Sequence, residues 1–338
     1  MNIKDAEAQK QLKALESTLN LSLKSSHAEE ANGMEQLVRP SGSWVALVTP
    51  FTEKDRIDID GFKKLVDFHV ANGTDGLIFM GSTGEATSLS MEERKLIIQE
   101  MTKYCKGKIE AFFGTSCSTT KDTVELSRFA EECGADGIQL VVPPYIVPPQ
   151  ETILEFIATV AKSVNIAVTI YNNPSRVVAN IDPSTIAKLL DIGNIVAIKE
   201  ASPSLTQLMG DIEVSAGRLN VLCCDSPKFG LILPLMAMGG HGTANVTGNV
   251  LPKEFALMSK PWESWEDAVR CRELFFKYKP VMEAAYLLVN PVGIKAMMKL
   301  LGMPAGDPRP PLQPLKGNLL DKVREIIDKF RLREKCVV

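Results

Sequence analysis

The sequence has little histidine. Its 3 histidines (His27, His69, His241) are scattered over 338 residues, which argues against a histidine-rich metal centre, and no metal is expected. The 7 cysteines are odd in number and form no CxxC pair. They read as small buried hydrophobes in a reducing compartment; Cys223 and Cys224 are adjacent on an expected strand, one facing each way. There is no apolar run of about 18 residues, so no membrane span is expected. A net charge of −3 advertises neither nucleic acid nor an anionic membrane as a partner. The turn after the first expected strand, Val48-Thr49-Pro50-Phe51, carries no GxGxxG and excludes a Rossmann dinucleotide site there. The start lacks a basic-then-apolar signal, and the acids of the first 40 residues, with Arg39 as their only arginine, argue against import into an organelle. The expectation is a cytoplasmic chain.

What is present is a regular core. With 45% hydrophobic and 23% charged residues, the chain can bury one large domain. Residues 1–40 differ: they hold no aromatic residue, and Leu12, Leu15, Leu19 and Leu23 at helical spacing allow a short amphipathic helix in a mobile or partner-docked tail. From Ser43 onward, short apolar runs alternate with amphipathic helical stretches about eight times in roughly 220 residues. Ser90 followed by Glu93 is a capping box opening one of these helices. Repeated βα units mean a parallel sheet, and eight of them fit a closed (β/α)8 TIM barrel better than an open sheet. The expected layout is a tail over 1–40, a barrel over 41–259 and a C-terminal helical region over 260–338. That region reads as helices over Trp265–Tyr278, Val281–Leu288, Val292–Leu301 and Leu319–Phe330, with Pro308–Pro314 as a rigid connector.

One strand ends on a charge. Ile195-Val196-Ala197-Ile198 runs apolar into Lys199. Burial favours the neutral form of an amine, and a neutral amine attacks carbonyls, so the functional reading is a Schiff-base lysine. The other reading is a strand-end lysine that snorkels to solvent. In such a barrel the chemistry sits at the carboxyl ends of the strands. The second strand ends in Gly81-Ser82-Thr83-Gly84, a turn that can aim N–H groups at a carboxylate; Glu85 after it disfavours a phosphate. The fourth is followed by Tyr145 and the fifth ends in Tyr171, then Asn172-Asn173-Pro174-Ser175-Arg176. A phenol can move the protons that imine formation requires. Arg176 is a planar, bidentate carboxylate handle or a surface ion-pair partner.

GSWVALVTPF (42–51), GSTGEATSLSMEER (81–94), YNNPSR (171–176), IKEAS (198–202) and GGHGTANVTGNVLP (239–252) occur together and in order. The set resembles the dihydrodipicolinate synthase / N-acetylneuraminate lyase family of class I pyruvate aldolases, over roughly residues 42–315. The resemblance implies a TIM barrel with a helical C-terminal region, usually a homotetramer built as a dimer of dimers, with a homodimer as the smaller assembly. It implies Lys199 as the pyruvate Schiff-base residue and Tyr171 as proton donor and acceptor. Ser82, where the synthases usually carry threonine, would relay protons with Tyr171 and Tyr145, the last reaching in from a neighbouring subunit. Thr83 would bind the pyruvate carboxylate, the Ala244 carbonyl would touch pyruvate, and Arg176 would receive the carboxylate of aspartate semialdehyde. The run Pro174-Ser175-Arg176-Val177-Val178 departs from the usual PSRTG.

The leading expectation is therefore condensation of pyruvate with L-aspartate 4-semialdehyde, in lysine and diaminopimelate biosynthesis, with no cofactor. The alternatives are a 2-keto-3-deoxy sugar acid aldolase or N-acetylneuraminate lyase-like enzyme, and, of another class, a non-catalytic barrel binding a 2-oxo acid. Many synthases of this family are inhibited by lysine bound between subunits. At the matching positions this chain offers Met91, Arg94, Ser118, Asp122 and Pro144. Methionine and proline remove polar groups and Arg94 would repel an ammonium, so no lysine inhibition is expected.

Overall fold

The computed structural model describes residues 37–336; the tail helix expected around Leu12–Leu23 lies outside them. Eight strands close into one parallel barrel in chain order: β1 Gly42–Ala46, β2 Gly76–Phe79, β3 Glu110–Gly114, β4 Gly137–Val141, β5 Ala167–Asn172, β6 Ile195–Glu200, β7 Asn220–Cys223 and β8 Gly242–Asn245. Nearly all their residues are buried, polar ones such as Ser43, Thr243 and Asn245 included, which is the condition of a strand between packed barrel interior and outer helices. The outer layer is α1 Ile59–Ala71, α2 Met91–Cys105, α3 Thr120–Glu132, α4 Gln150–Ala161, α5 Pro183–Leu189, α6 Leu205–Ser215, α7 Ile232–Ala237 and α8 Pro252–Met258. The barrel closes where Gly42 pairs with Gly242. A Cβ on Gly242, at φ 139°, would stand 2.1 Å from the Gly42 carbonyl oxygen, so this seam requires glycine.

Three further helices follow: α9 Trp265–Ala285, α10 Val292–Leu300 and α11 Gly317–Lys329. The proline at 280 suggested a break between two helices, yet α9 runs through it. Proline there leaves the Phe276 carbonyl without its helical donor. Phe276 is on the exposed side, while Phe275, Tyr278, Val281 and Met282 are buried, so packing outweighs the loss. The capping box is present: Ser90 Oγ accepts from the Glu93 N–H, and Glu93 accepts from the Ser90 N–H. Glu93 also takes both guanidinium nitrogens of Arg309, at 2.6 and 2.7 Å. Arg309 further binds Asp55 and lies 4.3 Å from the Phe51 ring centre, so the proline-rich connector is pinned across the barrel mouth. Among the described residues no helix is long and apolar enough to cross a membrane.

Candidate active site

Tyr171 and Lys199 are the fifth residues of β5 and β6, and the parallel register sets them side by side. Both are buried, at 6% and 4% exposure, and the Lys199 Nζ lies 4.3 Å from the Tyr171 ring centre. Among the described residues Lys199 belongs to no ion pair. It opens instead into a cavity of about 440 Å³ lined also by Ser82, Thr83, Tyr171, Arg176 and Ala244. Six of the seven residues singled out in the sequence thus share one cavity at the carboxyl end of the barrel. The Tyr171 oxygen accepts from Asn173 Nδ2 at 2.6 Å, which leaves its O–H proton free to be given away.

Tyr145 is not among them. β4 ends at Val141, and Tyr145 follows in an irregular loop, 94% exposed at φ 81°. Ile146 and Val147 beside it are also exposed. Within one chain, Ser82, Tyr171 and Tyr145 are not brought together.

Several residues of the site were not legible in the sequence. Asn290, before α10, donates through Nδ2 to Thr83 Oγ1 at 2.9 Å and accepts through its carbonyl from Arg176 at 3.2 Å. It ties the hydroxyl of the β2 turn to the arginine of the β5 turn. Tyr286 lines the same cavity and donates to Asp225 Oδ1 at 2.6 Å, while Asp225 also accepts from the Val246 and Thr247 N–H groups. Burial pushes the Tyr286 phenol well above its usual range, with Asp225 adding to it, so it stays protonated. Burial likewise lifts the Cys224 thiol to about 12, which removes it as a nucleophile at neutral pH. Glu85, in a left-handed conformation, is neutralised by the buried Lys295 at 2.6 Å and also accepts from the Arg309 N–H. A Lys 210 positions away carries no local sequence signal for that pairing.

A second cavity, of about 610 Å³, shares Ser82, Tyr171 and Arg176 with the first and runs out past Met91, Arg94, Ser118, Asp122 and Pro144. Arg94 is buried there and donates to the Gly114 and Ser116 carbonyls at 2.9 and 3.0 Å and to the Cys117 thiol. All seven cysteines are free, and among the described residues no three His, Cys, Asp or Glu side chains gather as a metal site.

A parallel eight-stranded barrel with an unpaired buried lysine beside a tyrosine, at the carboxyl ends of its strands, is the layout of a Schiff-base aldolase. The comparisons narrow this. The model of the dihydrodipicolinate synthetase family matches residues 39–330. The 4-hydroxy-tetrahydrodipicolinate synthase of Methanococcus vannielii is 37% identical over 272 residues, 80% of this chain and 92% of that one. That of Methanocaldococcus jannaschii is 36% identical over the same length and the same shares. The crystal structure of dihydrodipicolinate synthase from Aquifex aeolicus superposes with a TM-score of 0.81 at 35% identity, covering 87% of this chain and 99% of that one. The chain belongs to the dihydrodipicolinate synthetase family, whose members are class I pyruvate aldolases.

Proposed function

We propose that this protein is a 4-hydroxy-tetrahydrodipicolinate synthase, condensing pyruvate with L-aspartate 4-semialdehyde through an imine on Lys199. The observation that carries this reading is the unpaired, buried Lys199 against Tyr171 in a cavity that also holds Thr83 and Arg176. Lys199 Nζ attacks the pyruvate ketone. Tyr171 gives a proton to the carbinolamine oxygen, which leaves as water, and the imine then draws electrons from the methyl carbon as that carbon loses a proton. The enamine adds to the aldehyde carbon. The amine of the semialdehyde half closes the ring on the former ketone carbon and releases Lys199. Thr83 holds the pyruvate carboxylate, the Ala244 carbonyl faces pyruvate, and Arg176 receives the second carboxylate. Ser82 passes protons to and from Tyr171.

Tyr145 serves from a second copy. Its 94% exposure beside exposed Ile146 and Val147 supports an assembly, a dimer or a dimer of dimers, in which this loop is covered. The free cysteines support a reducing, cytoplasmic location. The division into a tail over 1–40, a barrel over 41–259 and a helical region over 260–338 belongs to the same reading.

Borohydride reduction with pyruvate, followed by peptide mass mapping, tests the first step; a pyruvyl adduct on Lys199 is expected, and its absence overturns the mechanism. A substrate panel tests the second. Condensation with the semialdehyde is expected. Cleavage of 2-keto-3-deoxy sugar acids or N-acetylneuraminate without that condensation would assign the lyase activity instead.

A further inference from the structure

Behind the site, on the outer face of β5 and β6, lies a buried polar layer. Asn172 follows Tyr171 and Glu200 follows Lys199, and the two are paired in the register. Side chains alternate along a strand, so Lys199 points into the barrel and Glu200 away from it. Both residues of this outer pair are 0% exposed. Asn172 Nδ2 donates to Glu200 Oε2 at 2.9 Å and to Asn180 at 2.9 Å, while its Oδ1 accepts from the Ile181 N–H. The other Glu200 oxygen accepts from the Ser202 N–H. Glu200 is thus an acceptor on both oxygens, at the point where β5 and β6 end.

From α6, Asp211 faces Glu200 within hydrogen-bonding reach and is itself 0% exposed. Gln207 Nε2 donates to Asp211 Oδ1 at 2.9 Å. Asp211 Oδ2 is buried with no donor aimed at it. Two carboxylates cannot bond to each other, and a buried oxygen without a partner is costly. One proton on Asp211 removes both problems, because Oδ2–H then donates to Glu200. Burial and the neighbouring Glu200 push the Asp211 carboxyl in that direction, to about 10. The other titratable groups around this layer are Cys223 on β7 and Cys224 after it, whose thiols burial also raises, Asp182, bonded to Asn180, and Lys199 on the opposite face of the strand. On α5, the Thr185 hydroxyl is taken by Gln150, to which it donates.

We propose that Asp211, kept as a neutral carboxylic acid, and Glu200 are positioning residues that lock the ends of β5 and β6 together and so hold Lys199 against Tyr171. The proposal rests on Lys199 being the imine-forming residue. Asparagine at 211 reproduces the neutral acid: its Oδ1 still accepts from Gln207 and its Nδ2 donates to Glu200. Glutamine at 200 does not reproduce the acceptor, because its amide turns a donor towards either Asn172 or Ser202.

The test follows the rate of borohydride-trapped pyruvyl adduct on Lys199 between pH 7 and 10.5 in the wild type, Asp211→Asn, Asp211→Ala and Glu200→Gln, with melting temperatures alongside. Asp211→Asn is expected to stay within about twofold of wild type at pH 7.5 and to lose less of its rate at the alkaline end of the range, because it has no raised carboxyl left to ionise. Asp211→Ala and Glu200→Gln are expected to slow trapping on the order of tenfold or more, since small misplacements of reacting groups are expensive. Asp211→Ala trapping as fast as wild type, or Asp211→Asn with an unchanged alkaline limb, overturns the proposal. Should Glu200→Gln not fold, the alkaline limb of Asp211→Asn decides alone. A wild type that traps no pyruvate on Lys199 overturns the mechanism itself, which is a different result.

Discussion

Among the described residues two lysines are buried, one on a barrel strand and one on α10, and they differ in what surrounds the amine. Lys199 is 4% exposed, sits over the Tyr171 ring, and belongs to no ion pair among the described residues. Lys295 is 1% exposed, sits over the Phe51 ring at 4.2 Å, and is bound to Glu85 at 2.6 Å. Burial pushes the Lys295 amine down while Glu85 pulls it back up, so its ammonium is held as one half of a neutral pair. An aromatic neighbour and deep burial are therefore common to both and diagnose nothing. The carboxylate separates them. With it, the lysine is a strut between the β2 turn and α10; without it, and with a cavity in front, the amine is available to a carbonyl.

The same substitution at both positions breaks the comparison most sharply. Lys199→Met should lower condensation by more than about 10³-fold and abolish the borohydride adduct, because the other lysine that lines the cavity, Lys228, is exposed rather than buried beside Tyr171. Its stability should change by less than about 1 kcal/mol, since no buried partner is left unpaired. Lys295→Met should do the reverse. It strands the Glu85 carboxylate and should cost about 3–5 kcal/mol in a denaturant titration. The folded fraction should still trap pyruvate on Lys199. Adding Glu85→Gln should recover part of the lost stability, because a neutral amide still accepts from the Arg309 N–H. Equal loss of adduct in both single variants would mean that the distinction drawn from the carboxylate is wrong.

A smaller effect belongs to Arg176, which reaches the cavity but is exposed and forms no ion pair among the described residues. Arg176→Ala should cost about 1.5–3 kcal/mol in kcat/KM for the semialdehyde, nearer the lower figure because solvent screens an exposed cation. The pyruvate adduct should form at the wild-type rate. Unchanged semialdehyde dependence would return Arg176 to the surface residue that its sequence context also allowed.

The reading from the sequence succeeded where the signal is local and failed where it is not. Alternating apolar runs and amphipathic stretches marked eight βα units, and Ser90 with Glu93 announced its own helix cap. Lys199 was visible because a charge ends an apolar run. Lys295 was not, because its meaning depends on Glu85, far away in the chain. Glu85 itself read as a guard against phosphate, when its carboxylate is already taken. Pro280 read as a helix end because the rule for proline is local and the packing of α9 is not. Tyr145 follows an expected strand in sequence, but β4 stops four residues before it and the tyrosine points to solvent. Asp211 carried no signal in the sequence; its burial opposite Glu200 is what singles it out.

The last test brings a third lysine, the free amino acid, to the cavity past Met91 and Asp122. By the rule drawn from Lys199 and Lys295, a bound ammonium there needs a carboxylate with no prior claim on it. The cavity offers two, and each already has partners. Glu85 is held by Lys295 and the Arg309 N–H. Asp122 accepts from Thr119 Oγ1 at 2.8 Å, part of the start of α3. Arg94 adds a buried positive charge turned to the Gly114 and Ser116 carbonyls, which repels a second cation. Met91 and Pro144 supply no hydrogen-bonding side chains. Millimolar lysine is therefore expected to leave the steady-state rate unchanged. Saturable inhibition would mean that Asp122 exchanges Thr119 for the ligand, and Asp122→Asn should then abolish it.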